Sequence, residues 1–192
     1  MLEIWMSNPD PKLTKEKILA ALDAIDFLLQ QKGVIGELCI FGGATMILAF
    51  DARPSTRDVD AIFVPKDEIS KAAKKVAEKL ELPASWLNDG VKRFVSATGD
   101  LTEEGMPQWP NLRILRPTSR YLLAMKCMAS RVAGYDTGGD QDDIVRLCNE
   151  LQLTQAKQIL DVVSSYYPPN LIPAKTAFFV EEIADLLKGG LR

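Results

Sequence analysis

The sequence predicts an α/β (α+β) fold in which a mixed α/β half is followed by a helical half. Two observations support this prediction. Up to Pro117, short apolar runs bounded by glycine or proline alternate with amphipathic helical periods. From Thr118 onward, every periodic segment has helical spacing. We therefore place an α/β core at residues 1–117 and a helical region at residues 118–192.

The predicted elements are delimited mostly by glycines, prolines and polar loops. In the first half, the predicted helices span residues 14–31, 44–50 and 66–80. The predicted strands span residues 38–41, 58–64, 93–98 and 112–115. The segment 58–64 is the clearest strand, because it ends at Pro65 and is apolar on both faces, which is typical of a central strand. In the second half, the predicted helices span residues 119–132, 140–151, 154–164 and 175–187.

The composition excludes several kinds of catalytic site. The 192-residue chain contains no histidine, which removes Ser-His-Asp catalysis, Cys-His catalysis and HExxH zinc sites. Its three cysteines have apolar neighbours and form no C-x-x-C, so we expect reduced core thiols. No apolar run is long enough to cross a bilayer and no signal-peptide pattern is present. We therefore expect a cytoplasmic protein without a membrane partner, whose chemistry uses carboxylates, Lys, Arg, backbone amides or bound metal.

Positive charge is concentrated in one segment of an acidic chain. The net charge is −3, yet no acidic residue lies between Glu104 and Asp136. Five basic residues lie there: Arg113, Arg116, Arg120, Lys126 and Arg131. This pattern favours a confined anion site over a broad nucleic-acid-binding face, with a solvated positive surface as the alternative.

Asp58 and Asp60 are the strongest chemical signal in the sequence. Residues two apart in a strand point to the same face and lie about 6–7 Å apart. Two carboxylates at the end of an apolar strand repel each other and lose hydration, and a divalent cation such as Mg²⁺ or Mn²⁺ relieves both effects. The alternative is that Asp58 only ends the preceding loop and that Asp60 alone is buried, paired with Arg57.

Gly42 and Gly43 follow a predicted strand and precede a predicted helix. Glycines at such a turn let the backbone approach a phosphate closely, and the helix amides would point towards it. The pattern is neither a dinucleotide fingerprint nor a P-loop, because no third glycine and no G-K-[ST] follow. A tight turn that uses glycine only for its geometry is the alternative.

Two segments together resemble the signature of the nucleotidyltransferase superfamily: Phe41-Gly42-Gly43 and Arg53-Pro54-Ser55-Thr56-Arg57-Asp58-Val59-Asp60. The pattern of that superfamily is an apolar residue, Gly-Gly or Gly-Ser, a helix, and then Asp-x-Asp on the next strand. The placement of Arg53 and Thr56 is similar to that in minimal nucleotidyltransferases, which include toxins of bacterial toxin–antitoxin systems and small antibiotic-modifying enzymes. The resemblance implies a nucleotidyltransferase-like mixed sheet flanked by helices.

A downstream block is similar to the toxin branch of this superfamily, in which a helix carrying Lys and Arg precedes a helix that opens with D-x-x-D. The block consists of residues 122–131 followed by residues 140–144. The resemblance implies that Lys126 contacts the triphosphate with help from Arg131, and that Asp140 and Asp143 complete the site. Lys126 also interrupts an apolar helical run, where an ammonium is costly unless an anion meets it. The alternatives are a snorkelling lysine, and aspartates that only cap their helix.

The sequence departs from the superfamily pattern in one respect. Many members place a third carboxylate on a later strand beside Asp-x-Asp, but the segments 93–98 and 112–115 contain no acidic residue. Four nearby acidic residues lack the expected context: Asp89, Asp100, Glu103 and Glu104. Either the third role belongs to the helical half, or the protein binds nucleotide without efficient transfer.

The resemblance implies a Mg²⁺-dependent transfer of a nucleoside monophosphate from a nucleoside triphosphate (NTP) to an acceptor hydroxyl. Gly42, Gly43, Arg53 and Thr56 would hold the nucleotide, while Asp58 and Asp60 would bind the metal. The toxin branch suggests tRNA or another RNA as acceptor and an antitoxin protein as partner. Two alternatives remain open: a non-catalytic nucleotide-binding or protein-interaction module, and an enzyme that modifies a small antibiotic.

Overall fold

The computed structural model of the protein describes residues 12–130 and 139–189. At its centre is a five-stranded mixed sheet. In chain order, the strands are β1 Leu13–Thr14, β2 Gly36–Ile40, β3 Ser55–Thr56, β4 Val59–Val64, β5 Leu87–Asn88, β6 Leu101–Thr102 and β7 Leu112–Pro117. The large sheet has the order β5-β4-β2-β7-β6, and β1 and β3 form a separate antiparallel pair. Strand β2 is antiparallel to β4 and parallel to β7, which makes the sheet mixed.

Two helices of the first half cover one face of this sheet. The helices of this half are α1 Lys15–Gln30, α2 Gly42–Leu48 and α3 Lys66–Lys79. Helix α1 begins after Thr14, whose hydroxyl accepts a hydrogen bond from the amide of Lys17 and so caps the helix. The apolar sides of α1 and α3 pack with one face of β2 and β4 into the first core, which includes Ile18, Leu22, Leu38, Ile40, Val59, Ala61, Ile69 and Val76.

The helical half covers the opposite face. Its helices are α4 Ser119–Ala129, α5 Gly139–Glu150, α6 Ala156–Tyr166 and α7 Ala174–Gly189. They form the second core, which includes Cys39, Phe41, Met46, Leu115, Leu122, Ile144, Ile159, Val163 and Val180. Side chains alternate along β2 and the residue after it, so this strand packs in both cores. Leu38 and Ile40 belong to the first core, and Cys39 and Phe41 belong to the second.

The structure confirms the α/β class and most predicted elements. The strand predicted at 58–64 begins at Val59, and it is an inner strand between β2 and β5, whereas β2 holds the centre of the sheet. Helix α4 ends at Ala129 rather than at residue 132, and residues 131 and 132 lie outside the described part of the chain. None of the described helices is long and apolar enough to span a membrane.

The strand predicted at residues 93–98 is wrong. A 3-10 helix spans Gly90–Phe94 instead, and the place beside β4 is taken by β5, which pairs with it in parallel. The segment after this 3-10 helix is held by hydrogen bonds that involve side chains rather than by backbone pairing with a strand. The amide of Ser96 donates to the Tyr121 hydroxyl at 2.6 Å, and its own hydroxyl donates to the Tyr166 carbonyl at 2.6 Å.

Candidate functional site

Asp60 lies on the face of β4 that is turned towards the helical half, and Asp58 immediately precedes this strand. Val59 and Ala61, which alternate with them, are fully buried in the first core. Because side chains alternate along a strand, Asp60 points to the opposite face, and Asp58 accepts a hydrogen bond from Asn88, which stands opposite Asp60 in the sheet. Both aspartates are half-buried. The two carboxylates therefore lie close together at the start of an inner strand.

The Gly42–Gly43 turn lies directly against Asp60. The amide of Phe41 donates to the Asp60 carbonyl at 2.8 Å, which brings the end of β2 beside the start of β4. Gly42 has φ +62°, a conformation that favours glycine, and a Cβ placed on it would lie 3.3 Å from Oδ2 of Asp60. The absence of a side chain at Gly42 thus leaves the Asp60 carboxylate open to the turn.

Thr56 and Arg53 reach the second glycine of the turn. A Cβ placed on Gly43 would lie 2.7 Å from Oγ1 of Thr56 and 3.5 Å from Nη1 of Arg53. This approach is tighter than a side chain allows, so glycine is required here by contact rather than by backbone angle. The structure brings the predicted nucleotide-binding residues Arg53 and Thr56 to the same turn.

The surroundings raise the pKa of both aspartates. Burial is the main cause for Asp58, opposed by a hydrogen bond from Asn88 and by the charge of Arg57. For Asp60, burial is followed by repulsion from Asp58, and Asn88 and Lys126 oppose the shift. Both carboxylates are therefore less stable as anions than in water, which is the condition that a nearby cation relieves.

Asn88 belongs to this site, although the sequence analysis did not single it out. Its amide donates to Oδ2 of Asp58 at 2.9 Å, and its carbonyl oxygen accepts from the Gly90 amide at 2.9 Å. Asn88 stands opposite Asp60 in the parallel β4–β5 pairing. Asn88 takes this place only because residues 87 and 88 form strand β5. A two-residue strand is too short to show a periodic pattern, so the sequence does not predict β5.

The oxygen donors of this site fit a hard divalent cation. Asp58 and Asp60 supply carboxylates, the ligand type that Mg²⁺ and Mn²⁺ prefer. Within residues 12–130 and 139–189, no three His, Cys, Asp or Glu side chains are grouped to hold a metal. A cation here would therefore take its other ligands from phosphate oxygens and water, as Mg²⁺ commonly does.

Lys126 lies in an ion-pair network with Arg53 and two aspartates of α5. Its side chain is 7% exposed, and Nζ lies 2.6 Å from Oδ2 of Asp143 and 3.2 Å from Oδ1 of Asp140. Arg53 donates from Nε to Oδ1 of Asp143 at 2.7 Å, and its Nη2 lies 2.5 Å from Oδ2. The anion that meets the buried Lys126 ammonium in the structure is therefore Asp143, whose side chain is 1% exposed.

The network and the carboxylate pair form one continuous site. Arg53 lies beside Gly43 and pairs with Asp143, and the charge of Lys126 opposes the rise in the pKa of Asp60. Asp140 differs from Asp143, because its side chain is 58% exposed and its contact with Arg53 is 3.5 Å long. Arg131, the remaining predicted residue, lies outside the described residues.

The four acidic residues considered for a third carboxylate role have other partners. Asp89 pairs with Lys66 and Lys92. Asp100 accepts a hydrogen bond from the Tyr166 hydroxyl at 2.8 Å. Glu103 and Glu104 pair with Arg113 and Arg116 respectively.

No protein-family model, curated protein or solved structure matches the chain. The function must therefore be argued from the site itself. Its elements are two carboxylates of raised pKa, an adjoining glycine turn, and two cations held by a buried aspartate.

Proposed function

We propose that the protein is a Mg²⁺-dependent nucleotidyltransferase that moves a nucleoside monophosphate from an NTP to an acceptor hydroxyl. One observation carries this proposal. The half-buried Asp58 and Asp60 both have a raised pKa, and Asp60 opens onto the Gly42–Gly43 turn beside Arg53, near the charge of Lys126. Two carboxylates beside two cationic side chains suit a polyphosphate with a bound metal ion better than they suit a metal ion or a polyphosphate alone.

Each group has a definable part in such a reaction. Asp58 and Asp60 would hold Mg²⁺ or Mn²⁺, and the glycine turn leaves space for phosphate oxygens that a side chain would fill. Arg53 and Lys126 would neutralise phosphate charge, with Thr56 as a hydroxyl donor at the turn. The metal, when bound, would supply Lewis-acid stabilisation of the charge that develops on the phosphoryl group.

The ion pairs of Lys126 and Arg53 do not prevent this role. Each cation carries several N–H donors, so it can keep Asp143 while it contacts a phosphate. The exposed Asp140 is the weaker partner of both cations, with contacts of 3.2 Å and 3.5 Å. Phosphate oxygens would replace Asp140 first, whereas the buried Asp143 would continue to hold Lys126 and Arg53 in position.

A non-catalytic nucleotide-binding module is the second candidate. It is favoured by one observation: the described residues do not group a third carboxylate with Asp58 and Asp60. Such a module would bind NTP and metal without releasing pyrophosphate. An RNA acceptor such as tRNA and an antitoxin partner are further proposals that rest on the sequence resemblance alone. A cytoplasmic location is a further proposal that rests on the cysteine pattern.

The test uses the full chain with each α-³²P-labelled NTP, with Mg²⁺ or EDTA, and with total tRNA or a cell extract that retains its small molecules as acceptor. Nucleotidyl transfer predicts label on an acceptor and release of pyrophosphate, both only with the metal. An Asp58→Asn/Asp60→Asn variant should lose both signals. Metal-dependent NTP binding without pyrophosphate release from any acceptor mixture would instead favour the binding module.

A further inference from the structure

An apolar cleft continues from the candidate site along the same face of the sheet. It has a volume of about 250 Å³ and lies between strands β2 and β4 and the segment 95–101. Its sheet wall includes Cys39, Phe41 and Ile62, all on the face that carries Asp60. Ile62 lies two residues after Asp60, a separation of about 6–7 Å along the strand.

Helix α4 connects the cleft with the charged cluster. Tyr121 lines the cleft, and Lys126, five residues later on the same helix, pairs with Asp143. Five residues advance an α-helix by about 7.5 Å. The cleft therefore lies less than two turns of α4 from Lys126. Phe41, which lines the cleft and whose amide donates to the Asp60 carbonyl, joins its sheet wall to the candidate site.

The cleft exposes apolar surface that a ligand would cover. Among the described residues, eight large apolar side chains are exposed, and three of these line this cleft: Val64, Val95 and Leu101. Their exposed fractions are 57%, 38% and 46%. Contiguous exposed apolar surface within a concavity is typical of binding sites.

The lining carries almost no charge. Glu37 is the only charged residue in the lining, and its carboxylate is paired with Arg113 at 2.9 Å. A groove for a nucleic-acid strand needs Lys or Arg along the backbone path, and none lines this cleft. The lining thus matches a neutral ligand rather than a polyanion.

We infer that this cleft is the acceptor site, and that the acceptor is a small neutral molecule with a compact apolar body and a hydroxyl group. This inference rests on the proposed transfer reaction. In an in-line displacement, the attacking oxygen enters opposite the leaving group. Pyrophosphate would lie at Arg53 and Gly43, so the acceptor approaches from the other side of Asp60, where the cleft begins.

The transfer is balanced without a further reactant. The acceptor oxygen forms a bond to the α-phosphorus, and the bond from that phosphorus to the β-phosphate oxygen breaks. The leaving pyrophosphate takes the electron pair, and the hydroxyl proton passes to water. The products are the nucleotidylated acceptor, pyrophosphate and one proton.

The experiment divides one cell extract into total RNA and a dialysable fraction freed of charged compounds by ion exchange. Each fraction is incubated with the full chain, labelled NTPs and Mg²⁺. Leu101→Trp and Val64→Trp fill the cleft from its rim, and Ile35→Trp, at an exposed position that does not line it, is the matched control. NTP affinity is measured for each variant in parallel.

We expect label in the neutral fraction. Both cleft variants should lower its rate by at least about tenfold, because misplacement by a side-chain width disrupts alignment. Ile35→Trp should transfer at the wild-type rate, and NTP affinity should be unchanged in all three variants. If one of the two cleft variants does not fold, the other provides the test.

Two results would overturn the inference and leave the proposed function standing. One is label in the RNA fraction alone; the other is unchanged transfer by both folded cleft variants. Metal-dependent NTP binding with neither fraction labelled would overturn both the inference and the proposed transfer, in favour of the binding module. Failure to bind NTP at all would instead remove the proposed function.

Discussion

At the scale of the residue, the surroundings of Lys126 account for a buried ammonium without any ligand. Lys126 interrupts an apolar run, and a phosphate is one anion that could stabilise it there. The structure supplies Asp143 instead, at 2.6 Å, so this lysine does not snorkel to water. Its structural role and its proposed nucleotide-binding role therefore need separate measurements.

Lys126→Met should affect stability and binding together. Removing the ammonium leaves Asp143 with Arg53 as its remaining partner, at a cost of about 1.5–3 kcal/mol in unfolding free energy. NTP affinity should fall roughly ten- to a hundredfold if the lysine also contacts phosphate. Urea unfolding and isothermal titration measure the two effects.

Lys157→Met is the matched control for this lysine. Lys157 forms an exposed helical pair with Asp161, so its loss should change stability by less than about 0.5 kcal/mol. Equal NTP affinity of wild type and Lys126→Met would leave Lys126 with the structural role only.

Asp60→Asn should stabilise the metal-free protein, or leave its stability unchanged. A carboxyl group whose pKa is higher in the folded state binds protons more tightly there, so its contribution to stability falls as pH rises through that pKa. Metal-free wild type should therefore lose stability, relative to the variant, as pH rises above the ordinary aspartate pKa of 3.8. Thermal melting in EDTA across this pH range measures the difference.

Added Mg²⁺ provides the second arm of this test. It should raise the melting temperature of wild type more than that of Asp60→Asn, because metal binding to the folded state stabilises it. A large loss of stability in the metal-free variant would show that Asp60 is a structural partner instead.

At the scale of the element, the turn between β2 and α2 contains a left-handed glycine that lies beside the Asp60 carboxylate. Gly42 and Gly33 share a left-handed φ, of +62° and +64°. A Cβ on Gly33 would meet nothing within 4 Å, whereas one on Gly42 would lie 3.3 Å from the Asp60 carboxylate. Substitutions at the two glycines therefore distinguish the effect of backbone strain from the effect of a methyl group beside Asp60.

Gly42→Ala and Gly33→Ala should each lower the unfolding free energy by about 1–2 kcal/mol through backbone strain. Only Gly42→Ala should weaken the binding of Mg²⁺ and NTP, because its methyl group lies beside Asp60. Isothermal titration of both variants checks this. Equal binding by the two would indicate that the turn does not contact the ligand.

Local pattern predicted the elements whose signals lie within one segment. Helix α1 and strand β4 carry their apolar patterns in their own residues. The segment 93–98 has strand-like composition but has no place beside β4, because β5 occupies it. Composition alone does not report which pairing positions are already filled.

The pairing of site residues that are far apart in the sequence could not be predicted either. Arg53 and Asp143 are 90 residues apart and form the best-defined ion pair of the site. Both were candidates for nucleotide binding or catalysis, but nothing in the sequence indicated that they pair with each other. Asn88 was missed because its role depends on the register of β5 against β4.

At the scale of the whole molecule, the two halves share the central sheet. The second core joins the helical half to Cys39 and Phe41 of the first half. A fragment of residues 1–117 would expose this apolar face to water. The full chain should therefore unfold in one transition, and the fragment should bind a fluorescent apolar dye without a cooperative melt.

Circular dichroism of the fragment and the full chain tests this dependence. A fragment that melts cooperatively near the temperature of the full chain would show that the α/β half is stable by itself. The helical half would then act only through Lys126, Asp140 and Asp143.

The central claim is that Asp58 and Asp60 hold a divalent metal together with an NTP. The most direct measurement is isothermal titration of each NTP into wild type and Asp58→Asn/Asp60→Asn, with Mg²⁺ and with EDTA. We predict that wild type binds one NTP at least about tenfold more tightly with Mg²⁺, and that the variant shows no such difference. Equal affinity of wild type with and without Mg²⁺ would contradict the account.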